Sequence, residues 1–493
     1  MGISLFTSRV ILEKLGIDNF GIYQSVGGIV GLMTFINGAL STGTSRFITF
    51  ALGTKKIDLL KKTFSSTFTI QLILIVIIFL AAETIGLWFV KHELVIPAES
   101  YSAAIWAYHI SIFTTLIGLL TVPFNAAIIA HERMDFFAYM SIFDVSAKLG
   151  IVYLLTVGNF NRLIFYAFLL LVISLISNLI NIIYCLKKFP ECNFKIFIDK
   201  KIFKEVAGFS GWSLFASVSI ALNSQGILVL LNMFFSPVVV TARAISLQVN
   251  GAATQFVSNF RTAVNPQIVK QYASGNIEES KSLLLDSTKF SFYMMYILSL
   301  PIFLGAKYLL HIWLKDVPDY TVIFLQLVMI QSLFQVFDTS FYTALYAMGN
   351  LKLNALISPT IGFISFPIVY VLFKFGASPV ALSWASLITY AILGIIVKPI
   401  LIVKIAHYTW QEILKVLSRC LLIGSIAGIL SWGIITYFNP SYNDFVNLVI
   451  ITSISLVISI SFIYFIGLDK NMRKRINTII FSKFKLLKSY NQL

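Results

Sequence analysis

From residue 2 to residue 467 the chain is a run of apolar stretches, each close to the length that crosses a lipid bilayer. Fourteen can be marked: 2–16, 20–51, 64–90, 103–130, 136–157, 163–186, 207–235, 239–272, 288–314, 321–348, 353–374, 379–404, 415–438 and 445–467. A membrane helix needs about 20 apolar residues, and in lipid every backbone polar group must be satisfied within the element. These stretches therefore predict an all-α integral membrane protein with about fourteen spans. The first, fifteen residues long, reaches only about 22 Å. With 58% hydrophobic and 12% charged residues, the chain lies far from the half-apolar, quarter-charged balance of soluble domains.

The net charge is +16, and its distribution gives the topology. If both ends face the cytoplasm, the inner loops and tail hold 26 of the 37 Lys and Arg residues. The outer turns hold six: Lys14, Lys91, Arg162, Arg243, Lys315 and Lys374. Such a bias follows the positive-inside rule, and it explains the basicity without a nucleic-acid partner. The longest inner loop, "KKFPECNFKIFIDKKIFKEV" (187–206), is basic and amphipathic, as expected of a linker lying on the membrane surface. The tail "KNMRKRINTIIFSKFKLLKSY" is a second basic segment suited to anionic membrane lipids.

The halves repeat. "FALGTKKIDLLKKTF" pairs with "QYASGNIEESKSLLL", setting Gly53 opposite Gly275 at an offset of 222. "GLWFV" pairs with "HIWLK", and "GIVYLL" with "PIVYVL". Six spans per repeat is an even number, so the copies share one orientation, as in carriers whose repeats are related by an axis along the membrane normal. The expected organisation is an N-lobe at 1–186, the linker at 187–206, a C-lobe at 207–406, and two further spans with the basic tail at 407–493.

Span eight is unusually polar. Asn250, Thr254, Ser258, Arg261 and Asn265 follow spacings of 4, 4, 3 and 4, so they share one helix face; Gln248, Gln255 and Thr262 flank it. Lipid cannot satisfy these groups. The face meets either another helix, glued by polar side chains, or a water-filled cavity. Span seven carries Ser210, Ser213, Ser217 and Ser224 near one face, while span two offers Gly28, Leu32, Ala39 and Gly43. Small residues there permit close helix packing or leave room for a bulky substrate.

Depth separates the charged residues. Arg261 lies fourteen residues before Gly275, roughly 21 Å along the helix, where a charge marks a functional site by default. Arg46 is two turns nearer the cytoplasm on nearly the same face of span two, shallow enough to snorkel. Asp144 and Lys148 are four apart and can pair on one helix face, or serve as a coupling site. Asp338, roughly 15 Å from the inner end, has no local partner; it could balance Arg261 or bind a coupling ion. Glu83 and His109 are expected near the outer interface. Arg9 stands in the short first span.

The three cysteines form no CxxC and no Cys/His cluster, so no disulfide framework or zinc site is expected. No Walker loop, nucleophile elbow or metal-spaced histidine group appears. A cofactor is therefore not expected, and neither is an enzyme. A membrane glycan ligase or polymerase would need a longer outer loop than the dozen or so residues around 91–102.

Three stretches carry a family resemblance: "LEKLGIDNFGIYQSVGGIVGLMTFINGALS", "VPFNAAIIAHERMDFFAYMSI" and "SPVVVTARAISLQVNGAATQFVSNFRTAVNPQIVKQYA". With them the chain resembles polysaccharide-unit flippases of the MOP (multidrug/oligosaccharidyl-lipid/polysaccharide) exporter superfamily, the O-antigen type, in its Bacteroides form. The resemblance implies a V-shaped two-lobe fold in the bacterial cytoplasmic membrane. It implies an undecaprenyl-pyrophosphate-linked oligosaccharide substrate, with polysaccharide polymerase machinery as a downstream partner. It also implies cationic residues in a central cavity, a pattern met here by Arg46 and Arg261. Such proteins usually carry about twenty residues before "SLFTSRVILEKLG", so the resemblance implies either that Met1 is an internal methionine or that the first span is truncated. A drug antiporter of the MATE type, sharing the fold, is the alternative; its cavity should favour carboxylates.

Overall fold

The computed structural model describes residues 2–33, 44, 47–48, 51–52, 56–131, 133–155, 161–193, 217–219, 221–349, 352–438, 442–469 and 473. Every regular element among them is helical. In chain order these are α1 (Gly2–Leu15), α2 (Ile17–Met33), α3 (Ile57–Ala81), α4 (Leu87–His92), α5 (Tyr101–Leu120), α6 (Val122–Ala130), α7 (Met134–Leu154), α8 (Arg162–Lys188) and α9 (Ile227–Phe234). They continue with α10 (Pro237–Ala273), α11 (Ile277–Leu304), α12 (Ala306–Trp313), α13 (Thr321–Ala347), α14 (Lys352–Lys374), α15 (Ala381–Ala391), α16 (Lys398–Ala406), α17 (Trp410–Phe438) and α18 (Asp444–Phe462).

Among the described residues, eight helical segments are long and apolar enough to cross a membrane. A ninth is the pair α11 and α12, bent by 78°. The bend has a cause: Pro301 removes a hydrogen bond inside α11, and the helix breaks at Gly305. Adding the 222-residue offset to Glu83 lands on Gly305, and Glu83 itself lies in a π-helical turn, Ala82–Gly86, that joins α3 to α4. The other expected spans are helical over α1, α2, α7, α9 and α10, but these described segments fall short in length or apolarity.

The chain divides into two compact units: Met1–Val249 with Leu314–Phe324 and Lys352–Ser386, and Asn250–Trp313 with Leu325–Leu351 and Leu387–Leu493. The sequence repeat divides the chain by internal similarity and this partition divides it by packing, so the two need not coincide. In the first unit α2 lies hard against the α9–α10 segment. A Cβ on Gly21 would sit 2.0 Å from the Pro237 carbonyl oxygen, and one on Gly28 3.2 Å from Val229. Thr241 donates to the Ile17 carbonyl at 2.7 Å. Gly21, Gly28 and Gly31 therefore serve close packing here, while Gly27 faces open space; Ala39 and Gly43 lie outside the described residues.

The second unit has an aromatic core. Phe292 of α11 stacks on Phe337 of α13 with ring centroids 5.1 Å apart, and both are fully buried with Phe341, Met295 and Cys420. This packing holds α13 against α11. α10 ends at Gly275, whose left-handed φ of 83° lets the Asn276 amide reach back to the Gln271 carbonyl at 3.0 Å.

Three basic residues assigned to loops or turns by the charge count are instead inside the helical packing. Arg243 is 1% exposed and Lys398 2%; Lys289, counted with the inner loops, is also buried. The positive-inside bias survives without them, because most of the inner charges lie in other loops and in the tail.

Candidate functional site

The polar face of α10 does two things along its length. At one end, Ser332 of α13 donates to the Asn250 side-chain oxygen at 2.5 Å. Towards the other end, Thr343 of α13 reaches the Asn265 oxygen at 3.4 Å. Between them Arg261 donates to the backbone carbonyl of Thr339. Asn250 and Asn265 thus act as helix–helix pins, which is one of the two roles open to the stripe.

The other role belongs to the residues between the pins. Thr254, Gln255, Ser258 and Arg261 line a cavity of about 270 Å³, together with Ser332, Gln335 and Thr339 of α13 and the apolar Val257, Met295 and Val336. Thr254 returns its hydroxyl to the Asn250 carbonyl at 2.9 Å, and Gln255 donates to Asn259 at 3.0 Å. Among the described residues, the wall is rich in donors and contains one cation and no carboxylate. An arginine carries five N–H donors in a rigid fork. The protein uses Arg261 at the Thr339 carbonyl, and among the described residues it forms no ion pair with a carboxylate. The remaining donors suit a planar or tetrahedral anion.

The contribution of α13 went unread in the sequence beyond Asp338. Ser332, Gln335, Thr339 and Thr343 follow spacings of 3, 4 and 4 in "QSLFQVFDTSFYT", a helical stripe as regular as that of α10. Its shorter side chains amid aromatic and aliphatic neighbours hid it.

Asp338 does have a partner. Its carboxylate lies 3.3 Å from the ammonium of Lys398 at the start of α16, and that ammonium also sits over the Tyr342 ring at 5.3 Å. Sequence proximity could not show this, because sixty residues separate the two. The contact depends on Gly394, in the π-helical turn Ile392–Val397. A Cβ there would be 2.5 Å from the Phe334 carbonyl oxygen and 3.4 Å from the Asp338 amide nitrogen.

Asp144 and Lys148 do not form the expected ion pair. Ser177 of α8 donates to Asp144 at 2.5 Å, while Lys148 is exposed. The four-residue spacing allows a pair, but a hydroxyl on the facing helix is nearer and costs less to order than a lysine chain. Glu83 and His109, placed at the interface by sequence, meet at 2.9 Å and are each about a quarter exposed. Arg46, Ser210, Ser213 and nearly all of the linker lie outside the described residues. Among those described, no group of three or more His, Cys, Asp or Glu side chains could hold a metal, and all three cysteines are free thiols.

The structure aligns to a lipid II flippase, MurJ, in an inward closed conformation, with a TM-score of 0.67 over 93% of this chain and 96% of that one. It aligns to an inward-facing multidrug-resistance MATE transporter of the MOP superfamily with a TM-score of 0.62, over 80% and 92%. The chain has the MurJ/MATE fold. Identity is 14% in both cases, and 17% to the MATE multidrug transporter DinF-BH, at a TM-score of 0.56 over 82% and 94%. No family model matches the sequence, and no curated protein matches it. This all-helical fold with its apolar spans is the class expected from the apolar stretches.

Proposed function

We propose that this protein is a flippase that moves undecaprenyl-pyrophosphate-linked oligosaccharide units across the bacterial cytoplasmic membrane, for the assembly of O-antigen, capsule or exopolysaccharide. The observation that carries the reading is Arg261: a cation deep in a membrane helix, lining a donor-rich cavity with no carboxylate among its described residues. A lone arginine is costly in the membrane, and the pyrophosphate of a lipid-linked sugar is the ligand that offsets the cost, through paired charge-assisted hydrogen bonds. Thr254, Gln255, Ser258, Gln335 and Thr339 offer the hydroxyl and amide groups that a sugar or phosphate oxygen needs. Arg46 is proposed as an earlier contact nearer the cytoplasmic mouth. Both termini are placed in the cytoplasm by the lysine and arginine bias, and the two repeats are proposed to rock as lobes around the substrate.

The drug-antiporter reading shares the fold, but a cationic drug needs an acidic lining, and the one acid nearby among the described residues, Asp338, is engaged by Lys398. In cells that depend on this chain for surface glycan, Arg261→Ala should abolish the glycan and leave lipid-linked units at the cytoplasmic face. Arg261→Lys should retain part of the export, since the charge remains but the fork is lost. Normal export by both variants would overturn the reading.

A further inference from the structure

An arginine that is to receive an anion must not be neutralised by the protein's own acid. Asp338 is the acid in question. It precedes Thr339, whose carbonyl already holds Arg261, so the carboxylate and the guanidinium are within each other's electrostatic reach. Yet the carboxylate is not paired with Arg261. It lies 3.3 Å from Lys398, whose side chain is 3% exposed against 17% for Asp338.

The arrangement that produces this choice is built, not incidental. The π-helical turn Ile392–Val397 ends at Lys398 and shifts the register at which α16 begins. Gly394 allows that turn to touch the α13 backbone beside Asp338. The Tyr342 ring, one turn further along α13, lies 5.3 Å from the same ammonium. Each of these features brings Lys398 to the carboxylate, and none of them brings Arg261.

We infer that Lys398 is a positioning residue: it engages the Asp338 carboxylate and thereby leaves the Arg261 guanidinium without an internal counter-ion, available to the anionic head of the substrate. The inference rests on the anion-binding role proposed for Arg261 and adds the group that keeps that role open. Its logic is one of competition. A buried carboxylate that loses its partner is strongly disfavoured, and the next cation it can reach is Arg261. Two residues would then neutralise each other at the place where the substrate charge must land. Net charge gives the same ranking. Arg261, Asp338 and Lys398 together carry one positive charge; without Lys398 they carry none.

The test is a binding titration of farnesyl pyrophosphate, a soluble prenyl diphosphate, to the purified full-length protein in detergent. Arg261→Ala should lose binding; retention of wild-type affinity there would remove the underlying anion-site reading itself. Lys398→Met should weaken binding roughly tenfold, the scale of one displaced charge at intermediate dielectric, and Lys398→Arg should keep it. The double variant Asp338→Asn/Lys398→Met should return to wild-type affinity, because no acid is left to capture Arg261. Asp338→Asn alone should bind more tightly than wild type, and it keeps the inference testable if Lys398→Met fails to fold. The inference is overturned if Lys398→Met binds normally while Arg261→Ala does not. It is also overturned if the double variant stays as weak as Lys398→Met, or if Asp338→Asn gains no affinity.

Discussion

Arg261 of α10 hydrogen-bonds the carbonyl of Thr339 on α13, and the residue before that threonine, Asp338, faces Lys398 at 3.3 Å. Two cations and one acid therefore meet around a single turn of α13, at the edge of a cavity lined by hydroxyls and amides.

Gly394 is where this arrangement is most exposed to a small change. Gly394→Ala places a Cβ 2.5 Å from a backbone oxygen, which cannot yield as a flexible side chain would. The expected cost is about 1–3 kcal/mol, the range for overpacking a tight contact. A lower thermal midpoint in detergent, with weaker prenyl-diphosphate binding, is the expected readout; an unchanged midpoint would show that α13 and the Ile392–Val397 turn are less close than described.

Asp144 and Lys148 give a contrast within one helix. Lys148→Ala removes an exposed side chain and should change stability by less than about 0.5 kcal/mol. Asp144→Ala deprives the buried Ser177 hydroxyl of its acceptor and should cost about 1 kcal/mol. Equal effects of the two substitutions would revive an ion pair between them.

Asp469 supplies a pH test outside the membrane. It accepts from Arg419 at 2.5 Å and from Lys289 at 3.0 Å. Burial pushes its carboxyl up, but the hydrogen bonds and charges of Arg419 and Lys289 outweigh that and hold it below its ordinary 3.8. A group whose folded value is depressed stabilises the fold above its unfolded value and loses that contribution as pH falls through the folded one. With the side chain 48% exposed, solvent screening limits the contribution to about 1 kcal/mol or less. Wild type should therefore outlast Asp469→Asn at pH 7, with the gap closing below pH 3.8; a gap that widens with acid would contradict the arrangement.

The sequence carried the fold class well, because bilayer thickness and backbone hydrogen bonding leave few options for such apolar stretches. The end of α10 was legible at Gly275, whereas the break at Gly305 falls inside the expected span 288–314. The α10 stripe was legible as polar, but its periodicity could not distinguish pins from cavity wall; the answer, Asn250 and Asn265 as pins and Thr254 to Arg261 as wall, needed the facing helix. Lys398 was misassigned because it stands near an inner loop in sequence, and its depth follows from a π-helical turn that leaves no periodic signature. Arg243 was misassigned for a similar reason. It follows a short turn, yet it is buried against Phe324 with its ring centroid 5.8 Å away and donates to Ser383 at 3.1 Å.

Flipping itself is the readout on which the role of Arg261 stands or falls. Proteoliposomes carrying the purified protein and a fluorescent undecaprenyl-pyrophosphate-linked oligosaccharide would report how fast the label crosses between leaflets. Wild type should accelerate crossing well above protein-free vesicles, Arg261→Ala should fall to the protein-free rate, and Arg261→Lys should lie between. Crossing by Arg261→Ala at the wild-type rate would contradict that role.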